Sequence, residues 1–374
     1  MKVILSVEAL EPMLTGIGRY TWELASRLPV ALGKKNVRYY RNGRWINDPG
    51  ELLIDAARPS KKKPWPFLGA VRRWFNSAEI EFGDQKTVFH GPNFFLPPWV
   101  DNGVVTVHDL SVFKFPETHP AERIRQYERE FQMSMDHAAH LITVTESMRH
   151  EVMDFLGWPA EKITAVHHGV SPAFAVREEQ ELQVRLRGYG LEPGSYVLCV
   201  STLEPRKKID CLLSSFRSLP AFLREKNSLV LVGGSGWLNE DLHQTIERAT
   251  REGWLRYLGF VAESDLPFLY AGARLFVYPS IYEGFGFPVL EAMASGVPVV
   301  TSNHASVLEV AQGASLQVEP DDLDALAETI RKGLTDEDWR SSTRTAGLRI
   351  AGYYSWDKCV EETIGVYRHV SPRL

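Results

Sequence analysis

The chain has 374 residues, enough for two or three domains at about 100–200 residues each. Apolar residues make up 44% and charged residues 24%, which excludes a disordered tail protein, a collagen-like chain and a small disulfide-stapled fold. The net charge of −5 argues against bulk nucleic-acid binding, so no nucleic acid is expected as a partner.

In chain order, MKVILSVEALEPML lacks a basic region leading into a long apolar stretch, and VILSVEAL reads as a first strand. A glycine-bearing loop and the helical pattern GRYTWELASRL follow. TVFHG, VVTVHDL, LITVTE and KITAVHHG are further strands, interrupted by a helix from about Ala121 to His140. Residues 175–193 are charged and end in Pro-Gly, the composition of a linker. The alternation then restarts: SYVLCVST, a helix around Asp210–Leu219, SLVLVGG, a helix around Glu240–Glu252, RYLGF, LFVYPS, a helix from about Val289, and VPVVTS. Trp356–Val370 carries Val360, Ile364, Val366 and Tyr367 at helical spacing. Strands alternating with helices in two blocks predict two α/β domains with parallel sheets. No run reaches the roughly 18 apolar residues of a membrane span. The scattered Cys199, Cys211 and Cys359 give neither a disulfide framework nor a CxxC metal site. A soluble, cytoplasmic protein is expected.

Charge is uneven. Residues 1–174 hold 21 Lys/Arg against 20 Asp/Glu, whereas residues 175–374 hold 21 against 27. Between Arg58 and Phe75 six basic residues stand with no acidic one, interleaved with Trp65, Phe67, Trp74 and Phe75. One reading is a solvated loop and helix with a few core aromatics. The other is a docking surface for an anionic membrane through Lys61, Lys62, Lys63, Trp65, Arg72, Arg73 and Trp74.

Ligands of open parallel sheets bind beyond the carboxyl ends of the strands, so chemistry is sought in the strand-to-helix loops. Thr15-Gly16-Ile17-Gly18-Arg19-Tyr20 follows the first strand and opens a helix. Gly16 and Gly18 suit backbone approach to an anion, although position 21 is Thr and the dinucleotide fingerprint fails. His108, ending VVTVHDL, is either a donor to a phosphate or sugar hydroxyl, or a structural histidine with Asp109 capping the next turn. Arg206, Lys207 and Lys208 follow the first strand of the second block, where three cations suit a diphosphate. The richest segment is LFVYPSIYEGFGFPVLEAMASGVPVVT, in which Glu283 stands in a glycine-rich loop and Glu291 in the helix behind it. Such a loop offers a carboxylate and backbone N–H groups, and the helix start suits a phosphate.

The segment from Glu283-Gly284-Phe285-Gly286-Phe287-Pro288 through Glu291-Ala292-Met293-Ala294 resembles the EX7E signature of retaining GT-B glycosyltransferases, the family 4 type. STLEPRKK resembles the family's diphosphate-binding strand end, and TGIGRY its N-domain glycine loop. HGPNFFLPP, VTVHDL, LITVTESMRHEV and HHGVSPAF fall in family order, so the resemblance spans the chain. It is strongest to bacterial O-polysaccharide mannosyltransferases. It implies a GT-B fold of two Rossmann-like domains facing a central cleft: an acceptor domain over 1–174, a linker over 175–193, and a nucleotide-sugar domain over 194–352. The helix within 353–374 would pack back toward the first domain. It also implies that Glu283 contacts donor-sugar hydroxyls, that the backbone of Phe285 and Gly286 holds the sugar, and that Phe287 belongs to the donor site. Val289 and Leu290 N–H groups would meet phosphate, Glu291 the ribose, and Arg206 and Lys207 the leaving diphosphate. His108 would line the reaction centre, and Phe260 and Val261 the nucleobase. Some relatives carry Arg where Ser201 stands, which leaves more of the charge to Arg206 and Lys207.

By the same resemblance the donor is GDP-mannose, with retention of configuration. The acceptor is a polyprenyl-diphosphate-linked glycan, which puts the enzyme peripherally on the inner face of the cytoplasmic membrane. Asp322-Leu323-Asp324 and Asp336-Glu337-Asp338 match the Asp-x-Asp string of metal-dependent transferases, but acidic residues at helix starts are expected from capping. No metal and no cofactor are expected. The rivals are a nucleotide-sugar epimerase or glycan phosphorylase on the same fold, and a non-catalytic sugar-nucleotide-binding partner.

Overall fold

In the computed structural model, residues 1–54 and 87–371 are described. They form two compact units. The first comprises Met1–Leu110, Arg125–Gly169 and the chain from Trp356; the second comprises Ser111–Ile124 and Val170–Ser355.

The first unit holds β1 (Lys2–Ser6), β2 (Val37–Arg41), β3 (Arg44–Ile46), β4 (Thr87–Gly91), β5 (Gly103–Val107), β6 (Ala138–Thr143) and β7 (Ile163–Ala165). They form one sheet in the order β3-β2-β1-β4-β5-β6-β7. Every pairing is parallel except β2 with β3. The continuous apolar runs of β1 and β5 are those of strands covered on both faces, and β5 is buried throughout. The β2–β3 hairpin was not expected from the sequence. Its turn is Asn42-Gly43, both at positive φ (47° and 80°), the backbone that a two-residue hairpin turn requires.

The second unit holds β8 (Tyr196–Val200), β9 (Ser228–Val232), β10 (Leu255–Tyr257), β11 (Leu275–Tyr278), β12 (Val299–Ser302) and β13 (Leu316–Val318). The order is β10-β9-β8-β11-β12-β13, parallel throughout. Its core joins Val197, Cys199, Leu231, Val277 and Val300 of the sheet to Leu212, Phe216 and Ile330 of the covering helices. Phe216 stacks on Trp254 with ring centroids 5.8 Å apart. Each such fully buried side chain contributes about 1.5–3 kcal/mol by leaving water.

Residues 175–193, expected as a linker, contain the helix Glu179–Leu186 and belong to the second unit. The apolar positions Leu182, Leu186 and Leu191 are buried, a stripe hidden in the sequence by the charges around it. The helix Trp356–Val370 lies in the first unit, where Asp357 pairs with Arg27 and the Tyr367 hydroxyl meets His90 Nδ1 at 2.7 Å.

In each sheet the connections reverse direction once, beside β1 and β4 in the first and beside β8 and β11 in the second. At such a point the loops leave the strand ends in opposite directions and open a crevice for a ligand. The segments singled out from the sequence leave these ends: Gly16–Tyr20 after β1, Ser201–Lys208 after β8, and Pro279–Phe287 after β11.

Candidate active site

At the switch point of the second unit four charged side chains and a phenol are buried together. Arg206, Lys207, Glu204 and Glu283 are each less than a tenth exposed, and Tyr278 is 2% exposed. Lys207 Nζ donates to Glu283 Oε1 and, at 2.9 Å, to the Tyr278 hydroxyl. Tyr278 in turn donates to Glu283 Oε1 at 2.7 Å. Arg206 donates to Glu204 Oε1 at 2.7 Å and to the Tyr282 carbonyl, with Nη1 3.3 Å from Glu283 Oε2. Two cations therefore face two carboxylates. Burial alone pushes the Glu283 carboxyl up, but the charges of Lys207 and Arg206 outweigh it and hold the group at about 2. The Tyr278 phenol is held well above its usual range, first by burial and then by the Glu283 charge, so it stays neutral.

Local structure produces this convergence. After β8 the chain makes a short 3-10 turn, Pro205–Lys207, that aims Arg206 and Lys207 inward. Lys208 caps the next helix in the left-handed region and turns outward to Asp321 at 2.6 Å. Of the three cations expected to meet a diphosphate, two face this cluster and the third is tied to Asp321. The loop after β9 runs tightly against the same segment, with Ser201 N–H bonded to the Val232 carbonyl and Leu203 N–H to that of Gly234. A Cβ on Gly233 would lie 1.9 Å from the Ser201 carbonyl oxygen, and one on Gly236 1.8 Å from that of Leu203. Gly233 and Gly236 thus permit the backbone contact that supports the cationic turn.

The helix carrying Glu291 begins at Phe287, two residues before the expected start, because Pro288 is tolerated in a first turn. Gly286 precedes it at φ +96°, a conformation that favours glycine. Val289 and Leu290, expected to offer N–H groups to phosphate, both donate to the Gly286 carbonyl. Glu291 is buried in the second turn. Phe285 is buried with its ring 5.2 Å from Phe287. After β10, Phe260 is exposed and Val261 buried.

In the first unit, His108 directly follows β5 and is 7% exposed. Its Nε2–H donates to the Pro92 carbonyl at 2.7 Å, so the neutral ring offers Nδ1 as an acceptor; of the two readings open from the sequence, the donor to a phosphate or sugar hydroxyl does not fit this ring. Burial lowers its pKa to about 4 and keeps it neutral near pH 7. His168 stacks on it at 5.5 Å and Tyr20 meets it edge-on at 5.2 Å. Tyr20 and His90 both bond Thr106 Oγ1, at 3.0 and 2.8 Å. Gly18 is buried at the start of the first helix, where its N–H meets Thr15 Oγ1 at 3.5 Å. A Cβ there would sit 3.0 Å from the Ala9 carbonyl oxygen, so packing also asks for glycine. Gly16 opens the same helix and is exposed.

Lys61, Lys62, Lys63, Trp65, Arg72, Arg73 and Trp74 lie outside the described residues. Both Asp-x-Asp strings start helices: Asp322 accepts from Ala325 N–H and Asp336 from Trp339 N–H, each at 2.9 Å. Among the described residues no three His, Cys, Asp or Glu side chains are grouped to share a metal ion, and no helix is long and apolar enough to cross a membrane. Sequence reasoning assigned no role to Glu204 or Tyr278. Glu204 stood inside the LEPRKK string, whereas Tyr278 ends an apolar strand and reads there as core.

Comparison with known proteins gives the family and the fold. Residues 14–174 match the model of glycosyltransferase family 4, and residues 189–349 that of glycosyl transferases group 1. The chain is 39% identical to the O-antigen chain mannosyltransferase B of Escherichia coli, over 98% of this chain and 100% of that one. Among solved structures, Anabaena Alr3699/HepE in complex with UDP and glucose superposes with a TM-score of 0.74 at 17% identity, over 99% of this chain and 100% of that one. WaaG, a glycosyltransferase involved in lipopolysaccharide biosynthesis, also gives 0.74 at 17% identity, covering 98% and 99%.

Proposed function

This chain belongs to the group 1 and family 4 glycosyltransferases, and on that premise we propose that it moves mannose from GDP-mannose to a lipid-linked glycan in O-antigen-type polysaccharide synthesis. The reading of the sugar and pathway is supported by the E. coli O-antigen chain mannosyltransferase, which aligns over nearly the whole of both chains. The observation that carries the chemistry is the buried Lys207–Glu283 pair with Arg206 beside it, at the switch point of a parallel sheet. A nucleoside diphosphate leaving group develops negative charge as its bond to the anomeric carbon breaks. Lys207 and Arg206 supply preorganised positive charge in a low-dielectric setting, where it counts most. Glu283, held ionised near neutral pH against its own burial by the charges of Lys207 and Arg206, accepts hydrogen bonds from sugar hydroxyls.

The reaction proceeds with retention. The anomeric carbon–phosphate oxygen bond breaks, the acceptor oxygen bonds the same face, and the acceptor proton passes to the departing diphosphate. Val261 and Phe260 meet the base, Glu291 the ribose, and Phe285, Gly286 and Phe287 the sugar. Val289 and Leu290 line the phosphate end of their helix, and Gly16 and Gly18 the corresponding helix start in the first unit. Neutral His108 accepts through Nδ1 from a sugar hydroxyl. Two side-chain cations take the place of a divalent ion, and the acceptor's lipid carrier brings the enzyme to the inner face of the cytoplasmic membrane.

The test is a panel of nucleotide sugars with a defined polyprenyl-diphosphate-linked acceptor, with and without EDTA, the product linkage being read by NMR. An α-linked mannosyl product from GDP-mannose in both conditions is expected. Transfer of another sugar, inversion at the anomeric carbon, or loss of activity in EDTA restored by magnesium or manganese each removes the corresponding part of the proposal.

A further inference from the structure

Tyr278 lies between the two groups on which the donor chemistry rests. Its hydroxyl accepts from Lys207 Nζ at 2.9 Å and donates to Glu283 Oε1 at 2.7 Å, in a pocket that leaves the side chain 2% exposed. The Lys207 ammonium also passes 5.4 Å from the centroid of its ring. The backbone is fixed as well: β11 pairs with β12 in register at Tyr278 and Thr301, and Thr301 Oγ1 donates to the Tyr278 carbonyl at 3.0 Å. A phenylalanine would fill the same volume and keep every backbone contact. The hydroxyl is therefore tied to the charged pair and not to the fold.

We propose that Tyr278 is a positioning residue that holds Glu283 in its working orientation when Lys207 turns from the carboxylate to the donor diphosphate. The proposal rests on the reading of this cluster as the donor site. Glu283 Oε1 accepts from both Lys207 and Tyr278. A diphosphate carries more negative charge than one carboxylate and competes for the ammonium. Arg206 Nη1 stands 3.3 Å from Glu283 Oε2, so it is Oε1 that would lose its charged partner when the lysine leaves, a costly loss for a buried carboxylate. The Tyr278 O–H needs no rearrangement to remain on Glu283, while Arg206 keeps its own anchors on Glu204 and the Tyr282 carbonyl. The tyrosine thus separates two duties: Lys207 is released toward phosphate, and Glu283 stays aimed at the sugar.

The experiment compares the full chain with its Tyr278→Phe and Glu283→Gln variants. In Tyr278→Phe, kcat for transfer from GDP-mannose should fall about tenfold, the loss of one oriented hydrogen bond to a charged group, with donor KM changed less than about twofold. Tyrosine labelled at 13Cζ gives a second reading, the Tyr278→Phe spectrum assigning the resonance. GDP should shift that resonance in the wild type as Lys207 leaves the hydroxyl, and Glu283→Gln should shift it without ligand. Unchanged kcat, a parallel loss in kcat and KM, or a Tyr278 resonance indifferent to both GDP and Glu283→Gln overturns the proposal. If the wild type transfers from no donor in the panel, the functional reading fails. The response of the resonance to Glu283→Gln in the free protein then still decides whether Tyr278 holds the carboxylate.

Discussion

Arg206 Nη2 donates to Glu204 Oε1 at 2.7 Å, two residues back along the chain, with both side chains buried. The arginine fork is thereby locked before any substrate arrives, and its second arm reaches the Tyr282 carbonyl and the Glu283 carboxylate. Lys207→Ala and Arg206→Ala should each cut turnover about a hundredfold, the cost of removing one preorganised charge from a leaving group. Each change also takes one charged partner from a buried cluster whose other members remain, so folding stability should fall by about 1–3 kcal/mol. Urea unfolding beside the kinetic assay separates the two losses. Wild-type turnover in a folded Lys207→Ala protein would end the assignment of Lys207 to the diphosphate.

The first unit should be acid-sensitive because its buried histidines are neutral. Burial pulls the His90 pKa down to about 3 and those of His108 and His140 to about 4, and lowers that of His168 as well. An unfolded chain protonates these rings near 6.5 while the folded one does not, so the unfolded state binds more protons below that pH. Stability from this source is full above about pH 6.5 and is lost as pH falls toward the folded values, by about 1.4 kcal/mol per pH unit for each ring. Urea midpoints should drop steeply between pH 6.5 and 5. His90→Phe should flatten that slope by one histidine's share, at the cost of the ring's hydrogen bonds to the Tyr367 and Thr106 hydroxyls, the second of which keeps Tyr20. A midpoint constant over this range would contradict the neutral, buried state of these rings.

Gly233→Ala and Gly236→Ala should disable the enzyme without touching a charged group. Both glycines have positive φ, 143° and 63°, and the added Cβ atoms would overlap the Ser201 and Leu203 carbonyl oxygens. The segment that must yield leads directly into Glu204, Arg206 and Lys207. A loss of more than about 2 kcal/mol in stability is expected, from strain and backbone displacement together. Turnover should fall in whatever fraction folds. Alanine variants with native thermal midpoints and native rates would show that the loop after β9 does not support the cationic turn.

What could be read from the sequence follows from the range of the interactions. Strands such as SYVLCV and LFVY announce themselves because a parallel sheet covered on both faces needs unbroken apolar runs. The hairpin of β2 and β3 falls outside the expected alternation of strand and helix, although Asn42-Gly43, the signal for its turn, stands between VRYYR and RWI. Leu182, Leu186 and Leu191 were overlooked because the charges between them suggested a linker. At the site, Arg206, Lys207, Glu283 and Glu291 were legible as motif residues, yet their pairing was not. Glu283 meets Lys207 across 76 positions, a relationship set by the adjacency of β8 and β11. Tyr278 was invisible for a different reason: a tyrosine ending a buried strand has the same sequence signature whether its hydroxyl is idle or bonded to two charges.

The basic segment from Arg58 to Phe75 should bring the enzyme to anionic membrane, where a lipid-linked acceptor of the kind proposed would lie. Charge alone favours this docking, and these residues lie outside the described part of the chain. Six cations and no anion stand in this stretch of a protein whose net charge is −5. Each Lys or Arg near an anionic surface contributes about 1 kcal/mol, so five of them outweigh the repulsion of a weakly negative body. Changing Lys61, Lys62, Lys63, Arg72 and Arg73 to Ser or Gln should abolish sedimentation with phosphatidylglycerol-containing vesicles. Transfer to a short water-soluble acceptor should be spared, because none of the five belongs to the Arg206–Glu283 cluster. Wild-type binding should weaken steeply with salt, as exposed charges are screened over about 8 Å at physiological ionic strength. Vesicle binding that survives the five substitutions, or is absent from the wild type, would make the segment an ordinary solvated face.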